Sequence, residues 1–125
     1  MATLTLAANS WVAVALNYCY VGGAWSYSDA AVGWKNRAAA TPWLTAGVGA
    51  SDCVGGKIYA TKAVTATGAQ SLAITLDPTI VQSWVAGNNQ GVLLDNPQTN
   101  AVVRLMSSKS ATVAQRPQLS ITYSN

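Results

Sequence analysis

Side chains able to do acid–base or nucleophilic chemistry are few in this chain. Its 125 residues include four acidic side chains, all Asp, and no His. The usual general bases are therefore missing, and neither a Ser–His–Asp nor a Cys–His arrangement can be assembled. A glycosidase-type carboxylate pair would require two of Asp29, Asp52, Asp77 and Asp95 to converge. Asp77 precedes Pro78 and a helical pattern, where a carboxylate caps free backbone N–H groups. Asp29 and Asp52 lie in turn-rich sequence, where aspartate usually bonds its own backbone. Four Asp and several Asn carbonyls are a thin donor set for calcium. The expectation is a protein that is not an enzyme and holds no cofactor and no metal.

Aromatic side chains are the other candidate chemistry. Trp25, Tyr27, Trp34 and Trp43 all fall in one irregular stretch that runs from Gly22 to about Gly56. A loop of that length packs on itself or serves a function. The rings either staple the loop to the core or present flat faces to a sugar. Two cysteines, Cys19 and Cys53, carry no metal-ligand spacing. No Lys or Arg precedes the apolar N-terminal stretch, so no signal peptide is predicted. For a chain made in a reducing compartment, free thiols are then expected, with one disulfide as the alternative.

The elements that must position these residues are mostly strands. The clearest non-strand stretch is Asp77 to Gly87. Pro78 suits a first helical position, and Ile80, Val81, Trp84 and Val85 share one face at helical spacing. Gly87 suits the left-handed C′ position. A helix over about residues 78–86 is predicted. Alternation marks strands at Thr3 to Leu6, Trp11 to Tyr20, Lys57 to Val64, Gln70 to Leu76 and Pro117 to Tyr123, with shorter ones after Gly91 and Ala101. Asn9-Ser10, residues 65–69 and Asp95-Asn96-Pro97-Gln98 read as turns. Residues 1–125 are thus one all-β domain, a jelly-roll or β-sandwich of about seven to eight strands with one short helix.

Charge is sparse. Seven Lys and Arg against four acids give a net charge of +3. The basic residues form no stripe, so nucleic acid is not an expected partner, and no apolar run suits a membrane span. Only Asp29 is charged among the first 34 residues. A flank so poor in charge is expected to be covered by another subunit or protein. Leu4, Leu6, Trp11, Val12 and Val14 are the candidate interface residues, and Trp25, Tyr27, Trp34 and Trp43 the candidate glycan contacts.

Three stretches together resemble the DNRLRE domain, a disaggregatase-related family grouped with carbohydrate-binding modules. They are Leu76 to Leu94 with its Val81-Gln82-Ser83-Trp84 core, the ending Gln115-Arg116-Pro117-Gln118-Leu119-Ser120-Ile121-Thr122-Tyr123, and Gly33-Trp34-Lys35-Asn36-Arg37 with Thr41-Pro42-Trp43. The likeness covers about the last two thirds of that domain. It implies a jelly-roll sandwich on extracellular or cell-surface proteins, with polysaccharide binding in some members. It carries over no binding residue set. Because the family's opening strands have no counterpart here, an unpaired apolar edge near Thr3 to Tyr20 is expected, and such an edge invites another chain.

Two function classes follow. One is a non-catalytic structural protein on a larger assembly such as a phage capsid or tail, forming oligomers or docking on protein partners. The other is a carbohydrate-binding module that recognises polysaccharide through its loop tryptophans; an attachment or adhesin domain would combine both. The expected location is a virion, a cell surface or the extracellular space.

Overall fold

The fold was analysed in a computed structural model, which describes residues 1–10, 13–25, 35–64 and 69–123. It is an all-β sandwich of antiparallel sheets with one helix. In chain order the strands are β1 (Ala2–Ser10), β2 (Val14–Tyr20), β3 (Asn36–Ala38), β4 (Thr41–Pro42), β5 (Tyr59–Val64), β6 (Ala69–Leu76), β7 (Val92–Asp95), β8 (Val103–Leu105) and β9 (Gln118–Ile121). Helix α1 (Pro78–Val85) joins β6 to β7.

Period-two alternation creates the core. Leu72, Ile74 and Leu76 of β6 are buried, while Ser71, Ala73 and Thr75 between them are exposed. Their partners across the ladder are Leu6, Leu4 and Ala2 of β1, on the same inward face. From the second sheet, Leu16 and Tyr20 of β2 and Val64 of β5 complete the packing. Each fully buried Leu or Ile contributes about 1.5–3 kcal/mol, so this interface between sheets dominates the stability.

Both N-terminal strands are central. β1 pairs with β6 on one side and with β8 and β9 on the other, and β2 lies between β5 and β7. This corrects the expectation of a free edge between Thr3 and Tyr20. β1 also runs on through Asn9 and Ser10, which bond to β8, so the expected turn there is strand. β8 and β9 are two pieces of one interrupted edge strand. β8 faces residues 8–10 of β1, the Met106 N–H donates to the Ala7 carbonyl, and β9 faces residues 2–5. The chain between them, 107–117, loops out of the sheet.

One irregularity sits in the β2–β5 ladder. Thr61 and Lys62 together oppose Leu16, a bulge that leaves the Leu16 N–H without a ladder carbonyl. The Thr61 hydroxyl accepts that N–H at 3.0 Å.

Helix α1 starts and stops as its sequence predicts. The Asp77 carboxylate accepts the Thr79 N–H at 2.8 Å, and Pro78 opens the first turn. At the other end the Gly87 N–H bonds to the Trp84 carbonyl and the Asn88 N–H to the Ser83 carbonyl, both at 3.0 Å. With Gly87 at φ 95° this is a Schellman motif. Val81 is buried, and Ile80 and Trp84 pack on the core. Val85, expected on the same face, is mostly exposed; it lies one turn beyond Val81, past the last strand that could cover it.

Candidate functional site

The outer face of β2 is covered by the long loop. Cys19 points outward from β2 and is bonded to Cys53 across 34 residues. The expectation of free thiols is thereby corrected: antiparallel bridging of Val21 to Cys53 brings the second cysteine over the first. The loop also contains the short β3–β4 ribbon and two single 3₁₀ turns, Ala50–Asp52 and Val54–Gly56. Asp52 is its anchor. This buried carboxylate accepts the Leu44 N–H at 2.7 Å, the Thr45 N–H at 3.0 Å and the Gly49 N–H at 3.3 Å. Three donors compensate a buried negative charge that would otherwise be costly.

The aromatic residues of the loop divide. Trp43 is 8% exposed and belongs to the packed interior. Trp25 is half-buried, and its indole Nε1–H donates to the Gln90 carbonyl at 2.7 Å, tying the loop to the turn after α1. Tyr27 and Trp34 lie outside the described residues, as does Asp29. Trp43, being buried, offers no open flat face of the kind a sugar platform needs.

Beside Trp43 lies an open polar cleft of about 360 Å³, walled by Gly22, Gly23, Arg37, Ser51 and Gly55 among others. The Arg37 guanidinium rests directly on Gly23. A Cβ at position 23 would stand 2.6 Å from Arg37 Nη1 and would push the end of that flexible side chain aside. Among the described residues the cleft is lined by one cation, Arg37, one anion, Asp52, and several backbone groups.

An aromatic cluster fills the end of the sandwich under α1, and the sequence reading did not single it out. Tyr18 and Tyr59 stack with centroids 5.1 Å apart, and Tyr20 meets Tyr59 at 5.7 Å and Trp84 at 6.0 Å edge-on. Burial pushes the Tyr18 and Tyr20 phenols above their ordinary value. The signal was present in the inward register of residues 18 and 20 of β2 and of Tyr59, which pairs with Tyr18.

Of the predicted interface residues, Leu6 and Val14 are buried inside the chain, and Leu4 is partly buried against the core. Trp11 and Val12 lie outside the described residues. The open apolar surface is elsewhere. Between α1 and β9 runs a groove of about 690 Å³ whose walls include Met1, Val81, Val85, Ile121 and Tyr123. Leu119 and Ile121 sit across from Leu4 and Ala2 and so face the sandwich interior. They are nevertheless 49% and 45% exposed, because no strand of the second sheet reaches over them; Val85 is 74% and Tyr123 82% exposed.

Among the described residues, no three His, Cys, Asp or Glu side chains gather to hold a metal ion. No described helix is long and apolar enough to cross a membrane. No family model, no curated protein and no solved structure matches this chain.

Proposed function

We propose that this chain is a non-catalytic β-sandwich that acts as a surface or decoration component of a larger assembly, such as a phage capsid or tail, with a DNRLRE-like jelly-roll plan. The observation that carries this reading is the uncovered apolar side formed by Val85, Leu119, Ile121 and Tyr123. Contiguous exposed apolar surface of this kind marks interaction sites. Two of the three described carboxylates support the non-catalytic half: Asp52 serves loop backbone and Asp77 caps a helix. The Cys19–Cys53 bond suits an oxidising setting, as on a released virion or a cell surface. Mass spectrometry of high-mass particles purified from source cells tests the proposal. The wild-type chain is expected at fixed stoichiometry, and Val85→Asp is expected to be lost from the particles. Finding the wild type only outside any particle would contradict it.

A second reading, as a polysaccharide-binding module or adhesin, is favoured by the Arg37 cleft. A guanidinium suits a carboxylate-bearing sugar better than a neutral one, and the Asp52 carboxylate that also lines the cleft is already engaged by three backbone N–H groups. Retention on an acidic but not a neutral polysaccharide, lost in Arg37→Ala, is the expected result; equal passage of both proteins through both columns would contradict it.

A further inference from the structure

The groove beside β9 also carries information about what covers it. Thr122 exchanges both main-chain bonds with Met1, its N–H donating at 2.7 Å and its carbonyl accepting at 2.6 Å. In an antiparallel ladder bonded residues alternate, so Gln118, Ser120 and Thr122 turn toward β1. Leu119, Ile121 and Tyr123 then direct their N–H and C=O groups away from the sheet. Among the described residues β9 pairs with β1 alone, so this edge is free. The residues with free main-chain groups are the same three whose side chains leave the interior face open.

We infer that β9 pairs with β9 of a second copy of this chain, antiparallel about a twofold axis at Ile121. This rests on the assembly reading above and names the partner at its apolar side. Three observations select a second copy. First, the edge is self-complementary. With Ile121 opposite Ile121, Leu119 of each copy meets Tyr123 of the other, and every outward N–H and C=O of the three residues finds a partner. A register shifted by one step would place Pro117, which has no N–H, opposite Tyr123. Second, neither wall of the groove carries a charged side chain: Pro78 to Val85 and Pro117 to Tyr123 contain no Asp, Glu, Lys or Arg, and the one charge beside it is the Met1 ammonium, which donates to the Thr122 carbonyl. A partner that relied on ion pairs would find no charged side chain there, whereas two copies of a chain with net charge +3 meet where their side chains are neutral. Third, the area suffices. Val85, Leu119, Ile121 and Tyr123 together expose on the order of 500 Å² of residue surface per copy, about 1,000 Å² for the pair, where specific interfaces begin. The product is one sheet continuous through both subunits, with each β9 as an inner strand and the apolar groove closed.

Light scattering on purified protein, together with cysteine variants, tests the inference. Wild type is expected to have twice the chain mass. Ile121→Pro deletes an edge N–H that the fold itself does not use, so that variant is expected to be monomeric with an intact far-ultraviolet spectrum, its thermal midpoint lowered by no more than the lost association and side chain account for. Ile121→Cys is expected to oxidise to a covalent dimer, because directly opposed residues lie within disulfide reach. Leu119→Cys is expected to stay non-covalent, because its twofold mate lies several residues away. A wild type that is monomeric at every concentration, or equal crosslinking by both cysteine variants, would overturn self-pairing. A monomer that still joins high-mass particles would overturn only the self-pairing; a monomer that joins nothing would overturn the assembly reading as well.

Discussion

The Asp77 backbone N–H donates to the Tyr20 phenol oxygen at 2.7 Å, linking the N-cap of α1 to the last inward residue of β2. Tyr20 is almost fully buried and also meets Trp84 and Tyr59 edge-on. One side chain therefore sets where the helix begins and how its tryptophan packs. Tyr20→Phe keeps the ring and removes the acceptor. The expected cost is about 1–2 kcal/mol, the loss of one partly buried hydrogen bond with its donor left behind, read from urea denaturation at neutral pH. An unchanged midpoint would show that water replaces the bond.

The same cluster gives the fold an alkaline limit. Burial is the main cause that raises the Tyr18 and Tyr20 phenols above their ordinary 10.0. Between that value and the folded one, the unfolded chain has lost protons that the folded chain keeps. The stabilisation is therefore complete below pH 10 and falls as pH rises beyond it. Thermal midpoints measured from pH 8 to pH 12 are expected to drop above about pH 10, and less steeply in a Tyr18→Phe, Tyr20→Phe double variant.

Asp52 holds the covering loop through three backbone N–H groups. Asp52→Ala leaves those donors unpaired in a part-buried site, and the expected loss is about 2–4 kcal/mol. Amide exchange separates this from a general destabilisation: Leu44, Thr45 and Gly49 are expected to exchange faster than the β6 amides. Uniform acceleration across the chain would contradict a local anchor.

Removing the Cys19–Cys53 bond by a double Ser variant releases a closed loop of 34-residue separation. Such a bond is worth about 2–4 kcal/mol, chiefly by limiting the unfolded chain. A lower denaturation midpoint with an intact far-ultraviolet spectrum is expected. Loss of the folded spectrum at neutral pH would mean that the loop is needed for the sandwich to form at all.

Features governed by local stereochemistry were legible in the sequence. Asp77-Pro78 and Gly87 marked the ends of α1, and the alternation of Leu72, Ile74 and Leu76 marked the buried face of β6, because caps and pleats depend on near neighbours. Pairing was not legible. Alternation says which face of β1 is buried, but not that β8 and β9 share its second edge, since a strand interrupted between Leu105 and Gln118 reads as two unrelated runs. A free edge was therefore assigned to β1 and β2, which are central, while β9 is one of the strands at an edge. The alternation of Leu119, Ile121 and Tyr123 marked a strand, which the structure places at Gln118–Ile121, but their exposure depends on which strands lie opposite. The cysteine bond likewise follows from the Val21–Cys53 bridge, a contact between distant residues that no local pattern announces. Of the candidate contacts, Trp43 illustrates the limit best: its type suits a sugar platform, and its burial removes it from one.

The most direct measurement is amide hydrogen exchange at Leu119, Ile121 and Tyr123 as protein concentration is raised. These N–H groups point away from β1, so in an isolated subunit they exchange freely. If the side of the sandwich bounded by β9 and α1 is covered in the working protein, their protection rises with concentration, while that of Ser120 and Thr122 changes far less. Protection that stays absent for all three, both in concentrated protein and in purified particles, would contradict the account.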